Sequence, residues 1–378
     1  LLVELGRVLI SLGNFSAARE AQQQLKTAAQ HLPSPRLAGA SRILGFLISQ
    51  YSGEHADSGG TPLASAHELI PLLERESAHY ELALAWRLIM LEHATAGRYT
   101  QAIEAVERSS AHARSAGNHL LEADNRGPHS TLLLLGPTPV LQAIARCEEL
   151  IDESKNDRML ESEIMCTLAQ LRAMNGELGE ARDLCRRARV ELGSLGKGVF
   201  AASTGLAVLH VELHGGDLAV AESEVRADYE FLDRAGETFL LSTMAALLSR
   251  VVRDQGRDAE ALVFAQASEQ ASAEDDVEAQ ALWRSIRASI LARTGETGSA
   301  EDMARTALEF ALRAESPRLQ ADVLSELAYV LRHCGKIDEA REAIGKAISL
   351  YAAKGDVVAA ATASTWARAL PEKGLPAA

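Results

Sequence analysis

Apolar residues recur at helical spacing along almost the whole chain. Near the C-terminal end Val323, Leu324, Leu327, Ala328, Val330 and Leu331 fall on one helical stripe, and Ala340, Ala343, Ala347 and Ile348 fall on a second. Gly335 lies between the two stripes, where a residue free to take a left-handed conformation ends one helix and lets the next fold back. The pattern predicts two amphipathic helices packed as an antiparallel pair.

The same unit repeats. A glycine followed five residues later by an alanine occurs at Gly13/Ala18, Gly97/Ala102, Gly176/Ala181, Gly216/Ala221, Gly256/Ala261, Gly295/Ala300 and Gly335/Ala340. From Ala181 to Ala340 the alanines advance by 40, 40, 39 and 40 residues, whereas Ala18, Ala102 and Ala181 are about twice as far apart, as missing or degraded copies require. A period near forty fills the chain with about nine helix pairs. A small residue often follows the alanine two turns later, as at Ala188, Ser268, Ala307 and Ala347, and Asp228 departs from that rule. Gly6, Ala169, Ala288 and Ala328, seven residues before their glycines, are small as well. Small positions on both arms predict close helix contact. These positions resemble the tetratricopeptide repeat, whose helix pairs stack into a right-handed superhelix, with a period longer than the usual thirty-four or so residues.

The expected fold is therefore all-α, a solenoid over residues 1–355 closed by a capping helix and tail over 356–378. Two stretches interrupt it. SGEHADSGGTP, near 52–61, has no apolar period and reads as an exposed loop, more readily a tolerated insertion than a binding loop. Around 125–139, Gly127, Pro128, Gly136, Pro137 and Pro139 crowd together, which predicts a short helix through Leu132 and Leu135 and a bend in the solenoid.

Composition narrows the function classes. The formal charge of −14 disfavours nucleic acid and anionic membrane as partners. No apolar run approaches the roughly twenty residues that span a bilayer. Aromatic residues make up only 4%, in keeping with helix packing by Ala and Leu. Cys147, Cys166, Cys185 and Cys334 show no metal-ligand spacing, so neither zinc nor disulfides are expected, and a cytoplasmic setting is. The chain begins at Leu1 inside a helical stripe, which reads as a segment of a longer protein.

One copy departs from its own repeat. Counted back from its glycine, Arg287 falls where other copies have Leu168, Val208, Leu248 and Leu327, and Arg284 falls on Leu324. An arginine at a core position needs a partner. Asp275 and Asp276, just upstream at the start of the helix, or a carboxylate of an adjacent helix, supply one in a purely structural reading. In the functional reading, Trp283, Arg284 and Arg287 hold an acidic group of a partner. His210 and His214 are four residues apart but HVELH is not HExxH, and a solvated pair at a helix end is the expectation over a metal site. GSLGKGVF has the wrong spacing for a phosphate loop, and no nucleophile motif occurs. No cofactor and no catalysis are expected within the chain.

The stretch EDDVEAQALWRSIRASILARTGETGSAEDMARTALEFA, with DVLSELAYVLRHCGKIDEAREAI and YAAKGDVVAAATA after it, resembles the C-terminal repeat region of bacterial class III adenylate/guanylate cyclases that also carry an AAA-type ATPase module. The resemblance covers at least residues 160–370. It implies a regulatory tail that binds a protein, a peptide or its own upstream domains, while the family's catalytic residues have no counterpart here. The alternative is the effector-sensing solenoid of an ATP-binding transcription activator. Oligomeric state is left open.

Overall fold

The computed structural model describes residues 2–32, 34–52, 61–155, 157–196 and 198–371. Every regular element among them is helical. The first three pairs are α1 (Leu2–Ser11) with α2 (Phe15–His31), α3 (Pro35–Ser52) with α4 (Pro62–Arg75), and α5 (His79–Thr95) with α6 (Tyr99–Ser115). In the fourth, the first arm is broken into α7 (His119–Asp124) and α8 (Arg126–Leu135), followed by α9 (Val140–Glu153). Five regular pairs follow: α10 (Arg158–Met174) and α11 (Leu178–Ser194), α12 (Val199–Gly215) and α13 (Leu218–Ala235), α14 (Phe239–Asp254) and α15 (Asp258–Ala271), α16 (Val277–Thr294) and α17 (Thr297–Ala311), α18 (Pro317–His333) and α19 (Ile337–Lys354). A last helix, α20 (Val357–Arg368), packs on α19 and also on α10. Most of the loop near 52–61 and most of the tail lie outside the described residues.

The sequence repeat has a direct physical basis. All seven turn glycines have φ between 71° and 94°, a region that costs other residues about 1 kcal/mol or more. All seven alanines are fully buried. Each is the fourth residue of its second arm, where any larger side chain would push the arms apart. The two degraded copies also come into view. Their second arms are α4 and α9, with Ser65 and Ala143 buried at the fourth position, and before α9 the Gly136–Pro139 segment replaces the lone glycine. The departure at Asp228 is met by Gly205 on the facing helix, where an added Cβ would lie 2.9 Å from the Asp228 carboxylate, and Arg189 pairs with that carboxylate at 2.7 Å.

First arms pack on the first arm of the next pair, as α10 on α12, α12 on α14 and α14 on α16, whereas the broken α7 and α8 pack on α6, the second arm before them. Second arms are spread further apart, so the stack curves with its first arms inside. The curve is tight enough for elements five pairs apart to meet. Glu315 N–H donates to the Gly97 carbonyl (2.8 Å), Thr238 N–H to the Tyr51 carbonyl (3.2 Å), and Gly13 lies against Ala235. The buried ammonium of Lys354, at the end of the ninth pair, donates to the carbonyls of Leu133 (3.0 Å), Gly136 (2.7 Å) and Thr138 (2.7 Å) in the fourth. Burial and the charge of Arg318 lower its pKa to about 7.

Gly97 serves both as a turn and as an inter-turn contact. An added Cβ there would come within 2.7 Å of the Ala314 backbone, whereas nothing lies within 4 Å of the same position at Gly335. Gly335→Ala is expected to cost about 1 kcal/mol, the strain of a left-handed alanine alone. Gly97→Ala adds a backbone clash and is expected to cost about 2–3 kcal/mol. Urea unfolding of the two variants side by side checks this, and equal costs would mean that the turns of the superhelix do not press on one another.

Candidate ligand-binding cleft

Where the last turns of the solenoid meet, the inner wall opens into a cleft of about 330 Å³. Successive first arms supply its ionisable groups: His210 and His214 from α12, Arg250 and Arg253 from α14, Arg293 from α16, and Arg318, Asp322 and Glu326 from α18. Tyr329, Tyr351 and Trp366 add aromatic surface, and Val358, Ala359, Thr362 and Ala363 of α20 form the opposite side.

The floor is an ordered set of charge pairs. Arg253, 7% exposed, binds Glu326, 8% exposed, through two bonds of 2.6 and 2.9 Å, and takes Asp254 at 2.8 Å. Burial pushes the Glu326 carboxyl up, and the Arg253 guanidinium more than offsets this and holds it below the usual range. Asp322 accepts the Tyr351 hydroxyl at 2.6 Å and lies 3.7 Å from Arg318 Nε. Burial drives His210 well below the ordinary histidine pKa, and the neighbouring charges of Arg318 and Arg250 act in the same direction. Its neutral imidazole accepts a hydrogen bond from Arg318 at Nδ1. His214 bridges the His210 carbonyl (2.7 Å) and Asp356 (3.0 Å), tying α12 to the start of α20.

Arg250 is held differently. It is raised overall, since burial works against its charge but Asp322 and Glu326 more than offset that. Both carboxylates stand off, at 3.9 and 4.0 Å, and its Nε has no hydrogen-bond partner.

The residues singled out from the divergent repeat lie elsewhere. Asp276 caps α16 by accepting from Ala279 N–H at 3.0 Å, and burial raises its carboxyl to about 6. Asp275 is exposed. Trp283 is buried, and Arg284 stacks between the Trp283 and Phe310 rings at 4.1 and 4.6 Å while donating to the Gln280 carbonyl. Arg287 shares the register of core leucines but is 37% exposed, because its long side chain carries the guanidinium out to Glu269 on α15 at 2.9 Å. It does not occupy the core, and it pairs with neither Asp275 nor Asp276. None of the five lines the cleft.

The two histidines are also placed differently from expectation. His210 and His214 are not a solvated pair at a helix end; the curvature folds α18 and α20 over them. A sequence signal for the cleft does exist. Six residues before the turn glycines stand Gln170, His210, Arg250, Ser289 and Tyr329, a polar column along otherwise apolar first arms.

A family model for the tetratricopeptide repeat matches residues 321–354, the pair formed by α18 and α19. No curated protein matches the sequence. A Rap protein complexed with competence and sporulation factor superposes with a TM-score of 0.67 at 10% identity, over 92% of this chain and 96% of the other. The chain folds as a tetratricopeptide-like solenoid. Two further structures are similar over much of their length: the Rap conjugation gene regulator of plasmid pLS20 in complex with the Phr* peptide (TM-score 0.48, 14% identity, 90% and 96% covered) and the apo quorum sensor NprR from B. thuringiensis (0.46, 17%, 68% and 75%). The tetratricopeptide-like stack extends well beyond residues 321–354, since the same glycine turn and buried alanine recur from Gly13 onward.

Proposed function

We propose that this solenoid is a non-catalytic binding and regulatory platform that takes a peptide or protein segment on its inner wall. The cleft carries the reading. First arms from four consecutive pairs converge there, with charged groups on one side and apolar and aromatic surface on the other, the mixture that orients a ligand in a largely preformed site. A protein of the same fold is known in complex with a competence and sporulation factor, which is in keeping with it. Because the cleft joins α12, α14 and α18 to α20, a bound segment favours the closed curve over an opened one by its differential affinity.

The resemblance of residues 160–370 to cyclase tails supports a parent protein with cyclase and ATPase modules, whose output the solenoid would set. The test is cyclic-nucleotide production by the parent with and without these 378 residues, across cell-extract fractions. Output that depends on the segment and on a fraction supports the reading. Unchanged output defeats the regulatory part. A parent that carries a helix-turn-helix and makes no cyclic nucleotide moves the platform to a transcription regulator.

A further inference from the structure

Second arms lie over the first arm of the next pair, as α11 on α12, α13 on α14, α15 on α16 and α17 on α18. Two positions of these first arms are apolar and sealed. Five residues before the turn glycine, Leu171, Val211, Val251, Ile290 and Val330 are buried, and eight residues before it so are Leu168, Val208, Leu248 and Leu327. In α1 the same two positions are held by Val8 and Leu5, equally apolar, yet 54% and 47% exposed. Like the other first arms, α1 packs on its own second arm, α2, and on the following first arm, α3. What differs, among the described residues, is the cover that a preceding second arm gives.

A second exposed residue, remote in sequence, points to the same occupant. Three turns rest on the pair five places further on, and at one register: Gly13 lies against Ala235, Gly97 against Ala314, and the Gly136 carbonyl accepts from Lys354. Ala235, Ala314 and Lys354 each stand nineteen residues after their own turn glycines, Gly216, Gly295 and Gly335. In the fifth pair that position is Leu195, just past the end of α11, and it is 52% exposed. The turn that would cover it belongs to a pair placed immediately ahead of α1.

We infer that Leu5, Val8 and Leu195 form one docking surface, and that its occupant is a further antiparallel helix pair of the same repeat, made by the polypeptide that leads into α1 in the parent protein. The register asks for a glycine about forty residues before Gly13, with an alanine five residues after it. Head-to-tail stacking of a second copy is disfavoured. At the far end α20 turns Ala361, Thr362, Thr365 and Arg368 to solvent, small and polar groups that close a stack and do not match exposed leucine and valine. A two-fold copy meeting α1 with α1 would cover Leu5 and Val8 but gives no reason for an apolar residue at the register of Leu195. A helix pair in this place grips the first and the fifth pair together, so it joins what lies upstream to the solenoid rigidly, whatever the inner-wall cleft binds.

The experiment is hydrogen exchange, read by mass spectrometry, on the parent protein and on these 378 residues side by side, with the parent reading frame checked for the glycine and alanine ahead of Leu1. Amides of α1 and of residues 192–196 are expected to exchange about tenfold or more slowly in the parent. In the parent, Leu5→Asp/Val8→Asp is expected to remove the slowing in α1, and Leu195→Asp the slowing at residues 192–196, with unchanged circular dichroism. In the 378-residue chain the same substitutions fall on exposed side chains and are expected to leave the urea midpoint nearly unchanged.

A reading frame without such a pair ahead of Leu1, equal exchange of α1 in the two proteins, or slowing that survives Leu5→Asp/Val8→Asp overturns the proposal. Slowing in α1 with residues 192–196 unchanged overturns it as well, because what covers α1 then does not continue the stack. If the parent is a dimer by light scattering and Leu5→Asp/Val8→Asp returns it to a monomer, the occupant is a second copy and the helix pair is excluded.

Discussion

Asp356→Ala is expected to lower the unfolding free energy by about 2–4 kcal/mol, read as a lower urea midpoint at unchanged slope. The Asp356 carboxylate is fully buried and works twice, accepting from Ala359 N–H at 2.9 Å as the cap of α20 and from His214 Nε2 at 3.0 Å. A cap alone is worth about 1 kcal/mol. The remainder comes from the second bond, whose loss leaves a buried imidazole nitrogen unpaired 142 residues away. Asp356→Asn keeps an acceptor in place and is expected to recover more than half. A loss near 1 kcal/mol for the alanine variant would mean that the link between α12 and α20 contributes nothing.

Glu326→Ala is expected to cost about 3–5 kcal/mol, because it leaves the Arg253 guanidinium buried with only Asp254 and Ser289 for partners. The pair itself is a different matter. Desolvating both ions nearly cancels their attraction, so the double variant Arg253→Met/Glu326→Leu is expected to lie within about 1 kcal/mol of the wild type. Thermal unfolding of Arg253→Met, Glu326→Leu and the double variant closes the cycle. A double variant as unstable as the single one would show that the ion pair is itself a net source of stability.

Much of the fold is legible in the sequence because its cause is local. A left-handed turn needs glycine within a few bonds, and a close helix crossing needs an alanine one helical turn into the second arm, so Gly335 and Ala340 announce themselves without reference to anything distant. The short α8 and the start of α9 after Pro139 are equally local. Ser77 shows where this ends. It adopts φ of 51° without being glycine, at the turn between α4 and α5, held by the Ala78 N–H bond to the Leu73 carbonyl. The cleft was less legible. Which face of α12 meets α18 and α20 depends on the small rotation between pairs, summed over several repeats, and no short window encodes that sum. Arg287 drew notice because it broke the register of its neighbours, yet a long side chain can leave a core position without moving its helix. Arg250 keeps the register of a polar column and stands out only when the copies are aligned against one another.

The three carbonyls that receive Lys354 also bear on how such a chain can change length. An open array tolerates gain or loss of a whole unit, since each pair answers only to its neighbours. Here the deletion of one forty-residue pair between α10 and α17 would preserve every neighbouring junction, yet it would advance the ninth pair by one place and set a different helix end over Leu133, Gly136 and Thr138. Gain or loss of a single unit there is thereby expected to cost the molecule the Lys354 contact, a penalty that an open array would not meet.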